Sequence, residues 1–145
     1  MCVNEKDSVQ EQPNNPIAIT AVKLYQIIHE QKNRGFIFEE YEIVRRAFKE
    51  RAPSEIYECV FDGKIDVQSP EDVFRIFNCA HPTGYKGRSM SVSDIVVFEY
   101  SNGKKTVYFC ARFGFKIIGY WKDGHWEEML HYKLLDKKIK NEGEN

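Results

Sequence analysis

The sequence predicts one α+β domain, mainly an antiparallel sheet with two to three packed helices. Three observations point there. Runs rich in β-branched and aromatic residues, such as I-V-V-F-E-Y and T-V-Y-F-C-A, are bounded by turn residues. Asn102-Gly103 stands between those two runs, the strongest short-range hairpin signal. Other segments space their apolar residues three and four apart, as a helix face does. A length of 145 residues suits a single domain able to bury a sizeable core.

Composition narrows the class. With 42% hydrophobic and 30% charged residues, the chain is neither wholly disordered, collagen-like nor a disulfide-dense miniprotein. Apolar runs are too short to span a bilayer, so no membrane partner is expected. A balance of 21 basic against 22 acidic side chains removes bulk electrostatic attraction to nucleic acid or membrane. The unusual figure is 14% aromatic: ten Phe, eight Tyr and two Trp. Cys2, Cys59, Cys79 and Cys110 are widely spaced without pairing, which suits reduced thiols and a cytoplasmic location.

Taken in order, residues 1–16 are polar, lack the features of a signal peptide and read as a flexible leader. The domain is expected over 17–136. Residues 17–28 are ambiguous between strand and helix, and their β-branched side chains favour a strand over 19–28. Asn33-Arg34-Gly35 marks a turn. Ile37, Tyr41, Val44 and Phe48 then fall on one helical face, with Glu42 and Arg46 paired on the other and Pro53 as the stop. Residues 56–61 read as a strand, followed by a tight turn at Asp62-Gly63 and a short return arm over 64–67.

The next helix has the clearest local grammar. Ser69-Pro70-Glu71-Asp72 supplies a capping hydroxyl, a first-turn proline and first-turn acids, and Val73, Phe74 and Phe77 supply a buried face. His81-Pro82 ends it, and a glycine-flanked loop follows over 83–88. After the Asn-Gly hairpin, Gly114 predicts a bend with a short extension over 115–118. Residues 121–126 read as a turn between aromatic arms. Trp126, Leu130 and Leu134 at four-residue spacing predict a final helix, with a frayed polar tail over 137–145.

Motifs for chemistry are sparse. Cys79-Ala80-His81 lacks the paired cysteine spacing of structural zinc sites, and His125-Trp126-Glu127 lacks the second half of a zinc deaminase signature. No metal and no cofactor are therefore expected. Ser89, Ser91, Ser93 and Asp94 crowd together without a nucleophile elbow, and Cys79 and His81 diverge if both lie on a helix. An enzyme would have to draw on His81, Ser93 and Asp94; a non-catalytic protein is the expectation. Lys86, Arg88, Lys104, Lys105, Arg112 and Lys116 meet only Asp94 and Glu99 between residues 84 and 116. Gly84-Tyr85-Lys86-Gly87 also matches a backbone-clamping G-x-x-G loop, although the segment after it reads as a strand. Nucleic-acid contact through these bases is one reading. The other is a protein interface anchored by Tyr85 and the tail aromatics Trp121, Trp126 and Tyr132.

The stretch I-F-N-C-A-H-P-T-G-Y-K-G-R-S-M-S-V-S-D-I-V-V over residues 76–97, the later Phe113-Gly114-Phe115 and the early L-Y-Q-I over 24–27 resemble the YodL-like domain family. His81, Pro82, Tyr85, Gly87, Ser89, Ser91, Ser93, Asp94 and Gly114 match its pattern. Arg88 departs from it, since histidine is frequent there, and so do residues 108–112, where many members carry a more acidic or serine-bearing strand. The resemblance implies an accessory protein of conjugative elements, plasmids or phages, and it brings no catalytic residues to carry over. It implies a protein partner from the host or the element and no particular oligomeric state. Physically, Gly87 is expected to permit a left-handed turn, the serines to bond turn amides, and Asp94 to accept amide hydrogen bonds where the strand begins.

Overall fold

In a computed structural model, residues 17–133 apart from Gly84, Lys86 and Gly124 are described. Six strands build one antiparallel sheet: β1 (Ile19–Ile27), β2 (Tyr57–Gly63), β3 (Ile95–Tyr100), β4 (Lys105–Ala111), β5 (Gly114–Lys122) and β6 (His125–Glu128). Their order across the sheet is β2-β1-β3-β4-β5-β6. Helices α1 (Tyr41–Val44), α2 (Pro53–Ile56) and α3 (Pro70–Cys79) complete the α+β domain.

Strand parity divides the interior into two cores. Ile95 and Val97 of β3 join Ile27, Tyr41, Val44, Ile56, Tyr57 and Phe109 on one face. Val96 and Phe98 join Leu24, Val73, Phe77 and Met90 on the other. Because β3 lies inside the sheet and its first four residues are covered on both sides, Ile95–Phe98 form an unbroken apolar run rather than an alternation. Tyr25 of β1 stacks on Trp121 of β5 at 5.7 Å although two strands lie between them. The sheet therefore curls around the first core.

Local chemistry explains most boundaries. The Ser69 hydroxyl accepts from the Asp72 N–H at 3.3 Å, and Pro70 opens α3 with Glu71 and Asp72 in the first turn. Val73 and Phe77 are buried as expected, whereas Phe74 is 38% exposed. Gly103 takes φ 89° in the β3–β4 hairpin, where the Asn102 side chain accepts from the Lys104 N–H at 3.0 Å.

Several expectations are corrected. The face formed by Ile37, Tyr41, Val44 and Phe48 does pack into the first core, but Phe38 has φ 67°, so helix begins only at Tyr41 and tightens to a 3₁₀ turn over Arg45–Lys49. Pro53 opens α2 as well as closing the preceding segment. Asp62 and Gly63 stay in β2, Gly63 opposite Val22, and 64–67 form no return strand. The chain reverses at Arg112–Phe113, with Ala111 opposite Gly114 at φ 96°, so β5 is a full strand of 9 residues rather than a short extension. Trp126 belongs to β6, directly opposite Trp121. Helical turn begins only at Leu130, where the Met129 carbonyl accepts from the Tyr132 N–H at 3.0 Å. A Cβ on Gly119 would overlap the Glu127 carbonyl, so β6 can close on β5 only at glycine. The leader over 1–16, Leu134 and the tail over 137–145 lie outside the described residues. Among the described residues no helix is long and apolar enough to cross a membrane.

Candidate functional site

The motif loop over residues 87–94 lies where β1, β2, β3, β4 and α3 meet. Gln26 sits near the end of β1 on the face that carries the buried Val22 and Leu24. Its Nε2 donates to the Arg88 carbonyl at 2.9 Å and to Asp94 Oδ2 at 3.0 Å, while its Oε1 accepts from the Arg88 N–H at 3.2 Å. One buried amide thus ties both ends of the loop. Asn78 of α3 holds the middle: its Oδ1 accepts from the Met90 N–H at 2.6 Å and its Nδ2 donates to the Met90 carbonyl at 3.2 Å. The Tyr85 hydroxyl donates to the Arg88 carbonyl, and Arg88 Nη2 donates to the Ile27 carbonyl at 3.1 Å.

Ser93 and Asp94 are 0% exposed. Ser93 has φ 85°, a costly conformation for a residue with a Cβ, and three contacts hold it there. Its N–H donates to the Cys110 carbonyl at 2.9 Å, its carbonyl accepts from the Tyr57 hydroxyl at 2.7 Å, and its hydroxyl accepts from the Phe38 N–H at 3.1 Å. Asp94 Oδ2 also accepts from the Ser91 N–H at 3.0 Å, whereas Oδ1 has no hydrogen-bond partner among the described residues. Burial therefore dominates its titration and pushes the carboxyl up to about 7, against the opposing pull of Gln26, the Ser91 amide and the Arg88 charge. Burial also raises the Tyr57 hydroxyl well above its ordinary value. Gly87 does not take the expected left-handed turn; it is glycine because the Tyr85 ring lies where its Cβ would be.

The candidate residues separate by position. Tyr85 and Arg88 are partly buried and belong to the loop's own hydrogen bonds. Lys86 lies outside the described residues. Lys104 sits in the β3–β4 turn and Lys105 opens β4 opposite Glu99, while Arg112 follows the far end of β4, about 20 Å along the strand. Arg112 pairs there with Glu40 at 3.9 Å. Among the described residues, Lys104 and Lys105 therefore share no patch with Arg112. Trp126 at 8% and Tyr132 at 7% exposure are core residues, not the surface anchors expected; Trp121 is half-buried. His81 is exposed with its ring 5.2 Å from that of Tyr85, and Ser89 is exposed. The partners of Ser93 and Asp94 are the groups given above, so His81, Ser93 and Asp94 do not assemble as nucleophile, base and acid. Gly114 supplies the positive φ of the β4–β5 turn. Among the described residues no three His, Cys, Asp or Glu side chains gather as metal ligands.

Sequence reasoning missed Gln26 and Asn78, the two amides that build the loop. The available signal was parity, because Gln26 falls on the same strand face as Val22 and Leu24. It also missed the outward face of this end. Phe113 at the β4–β5 tip is 99% exposed, and Phe38 is 50% exposed. The two belong to the same end of the sheet, since Phe38 is tied to Ser93 and Arg112 donates its N–H to Glu40 Oε2 at 3.3 Å. Two exposed rings and one ion pair thus stand at the same end of the sheet as the buried polar keystone.

Residues 21–120 match the YodL-like domain, a span running from β1 into β5 and taking in the whole motif loop. No curated protein and no solved structure matches the chain. The family match covers most of the sequence, and the chain belongs to the YodL-like domain family.

Proposed function

We propose that this domain is a small non-catalytic binding protein of a mobile genetic element that inhibits or modulates a host defence or regulatory protein, for example a CRISPR or restriction nuclease. The observation that carries this reading is Phe113, a large apolar ring left 99% exposed at a hairpin tip. Phe38 lies at the same end, turned out by a positive φ that Ser93 secures. Aromatic residues and arginine are enriched in protein interfaces. In the motif loop, by contrast, the Ser93 hydroxyl, Asp94 Oδ2 and Arg88 Nη2 are each held by Gln26 or by backbone, which favours a scaffold over a reaction centre.

The test is inhibition. The purified protein is added to a panel of CRISPR effectors and restriction nucleases cutting their own DNA targets, and capture from host lysate is run alongside. Wild type should slow at least one nuclease, and Phe113→Asp should lose that effect while keeping the wild-type circular dichroism spectrum. Unchanged cleavage across the panel, with no host protein retained by wild type and released by Phe113→Asp, would count decisively against the reading. The alternative, a nucleic-acid accessory protein using Lys86, Arg88, Lys104, Lys105 and Arg112, has less support because Lys104 and Lys105 lie at the opposite end of β4 from Arg112. It predicts oligonucleotide affinity that falls steeply with salt.

A further inference from the structure

Both tryptophans of the chain line a single open cavity of about 280 Å³. Tyr25, Tyr57, Trp121 and Trp126 form its aromatic wall and floor, and Ala52, Pro53, Ser54 and His125 form its mouth. Tyr25 and Trp121 stack with planes 20° apart, and Trp126 is tilted 58° from Trp121 at 6.4 Å. Tyr57 meets Trp126 nearly edge-on at 6.0 Å. Tyr57 and Trp126 are buried and fix the floor, whereas Trp121 keeps part of its surface open.

We infer that this cavity receives a cationic side chain, an arginine or lysine of a partner protein. Aromatic faces carry negative quadrupole potential, and a cation within about 6 Å of a ring is attracted, most strongly to tryptophan. Two carboxylates bond to residues that line it. Glu55 Oε1 accepts from the N–H of Ala52 at 2.8 Å, and Glu127 Oε2 lies 3.0 Å from His125 Nε2. Lys133 shares Glu127 at 3.5 Å, so Glu127 is already partly balanced. Glu55 forms no ion pair among the described residues. A wholly apolar occupant would desolvate that carboxylate without replacing its water, and a phosphate would meet like charge. A volume of about 280 Å³ leaves room for one long side chain. The cavity includes neither Phe38 nor Phe113, and although its Tyr57 donates to the Ser93 that holds Phe38, the variants below leave Tyr57 in place, so this inference is tested apart from the inhibitory function proposed above.

The two indole N–H resonances report directly on the cavity. They are followed during titration with tetramethylammonium chloride and with a glycine-flanked arginine peptide, against sodium chloride at equal ionic strength. Decaproline and oligo-dT serve as the competing probes. Saturable shifts of both indoles with the two cations are expected. Glu55→Gln keeps the hydrogen-bond acceptor for Ala52 and removes the charge, and it should weaken both cations about two- to fivefold. Trp121→Leu, with folding checked by circular dichroism, should abolish the response of the remaining indole. Absence of a saturable cation shift, indifference to Glu55→Gln, or tighter binding of decaproline or oligo-dT than of the arginine peptide would each overturn the assignment.

Discussion

At the scale of single residues, Asp94 is where burial and charge conflict most directly. Its side chain is fully enclosed, and only one oxygen has donors, Gln26 and the Ser91 amide. The neutral acid is favoured in the folded protein, with the carboxyl raised to about 7 from an ordinary value of 3.8. In the unfolded chain the group loses its proton near pH 4, whereas the folded chain keeps it until about pH 7. The folded state then binds more protons, so stability falls as pH rises through that window and levels off above it. The loss is up to about 4 kcal/mol. Urea unfolding at a series of pH values should show this decline in wild type, and Asp94→Asn should flatten it. A stability curve of equal slope in both proteins would assign the pH dependence elsewhere. The turn-bonding role of Ser93 and Asp94 was legible from S-V-S-D ahead of a strand, but their partners were not. Gln26 and Asn78 reach the loop across 62 and 12 residues of sequence, and no local pattern encodes such distances.

Elements with strong local chemistry were the legible ones. The Ser-Pro-Glu-Asp start of α3 and the Asn-Gly hairpin fix their own geometry from adjacent residues. The final segment shows the opposite. Trp126 and Leu130 are four apart, which suits a helix, but an even spacing also keeps two residues on one face of a strand. What decides between them is tertiary: Gly119 of β5 opens room for the β6 backbone, and Arg45 reaches across to Glu128. Arg45 donates through Nε at 2.8 Å and through Nη2 at 2.7 Å, while the Tyr41 hydroxyl donates to the same carboxylate at 2.6 Å. Gly119→Ala therefore tests the element as a whole. The added methyl has to displace the Glu127 backbone, a loss of about 2 kcal/mol or more, within the range of overpacking. Thermal unfolding should move down, and the near-ultraviolet signal of Trp126 should weaken as β6 lifts from β5. An unchanged melting temperature would show that β6 accommodates the methyl without loss.

For the whole molecule, the decisive feature is that β3 and β4 serve both cores. Val97, Val107 and Phe109 face the first, while Val96, Phe98 and Cys110 face the second. Neither core can be lost without pulling apart strands that the other needs, so the two should unfold as one cooperative unit. The chain provides the probes for this. Trp121 and Trp126 both pack in the first core, and α3 packs on the second. Phe77, fully buried on α3, meets Phe61 at 5.0 Å and Tyr85 at 4.8 Å and has no ring contact with either tryptophan. Phe77→Ala should remove about 3–5 kcal/mol. Because the cores are coupled, tryptophan fluorescence should report the full loss, with its urea midpoint falling together with the far-ultraviolet signal and an unchanged m-value. A fluorescence midpoint that stays at the wild-type value while α3 amides exchange faster would mean that the second core opens alone. The motif loop would then be a separable lid on the sheet, and the exposed Phe38 and Phe113 would no longer rest on a single rigid platform.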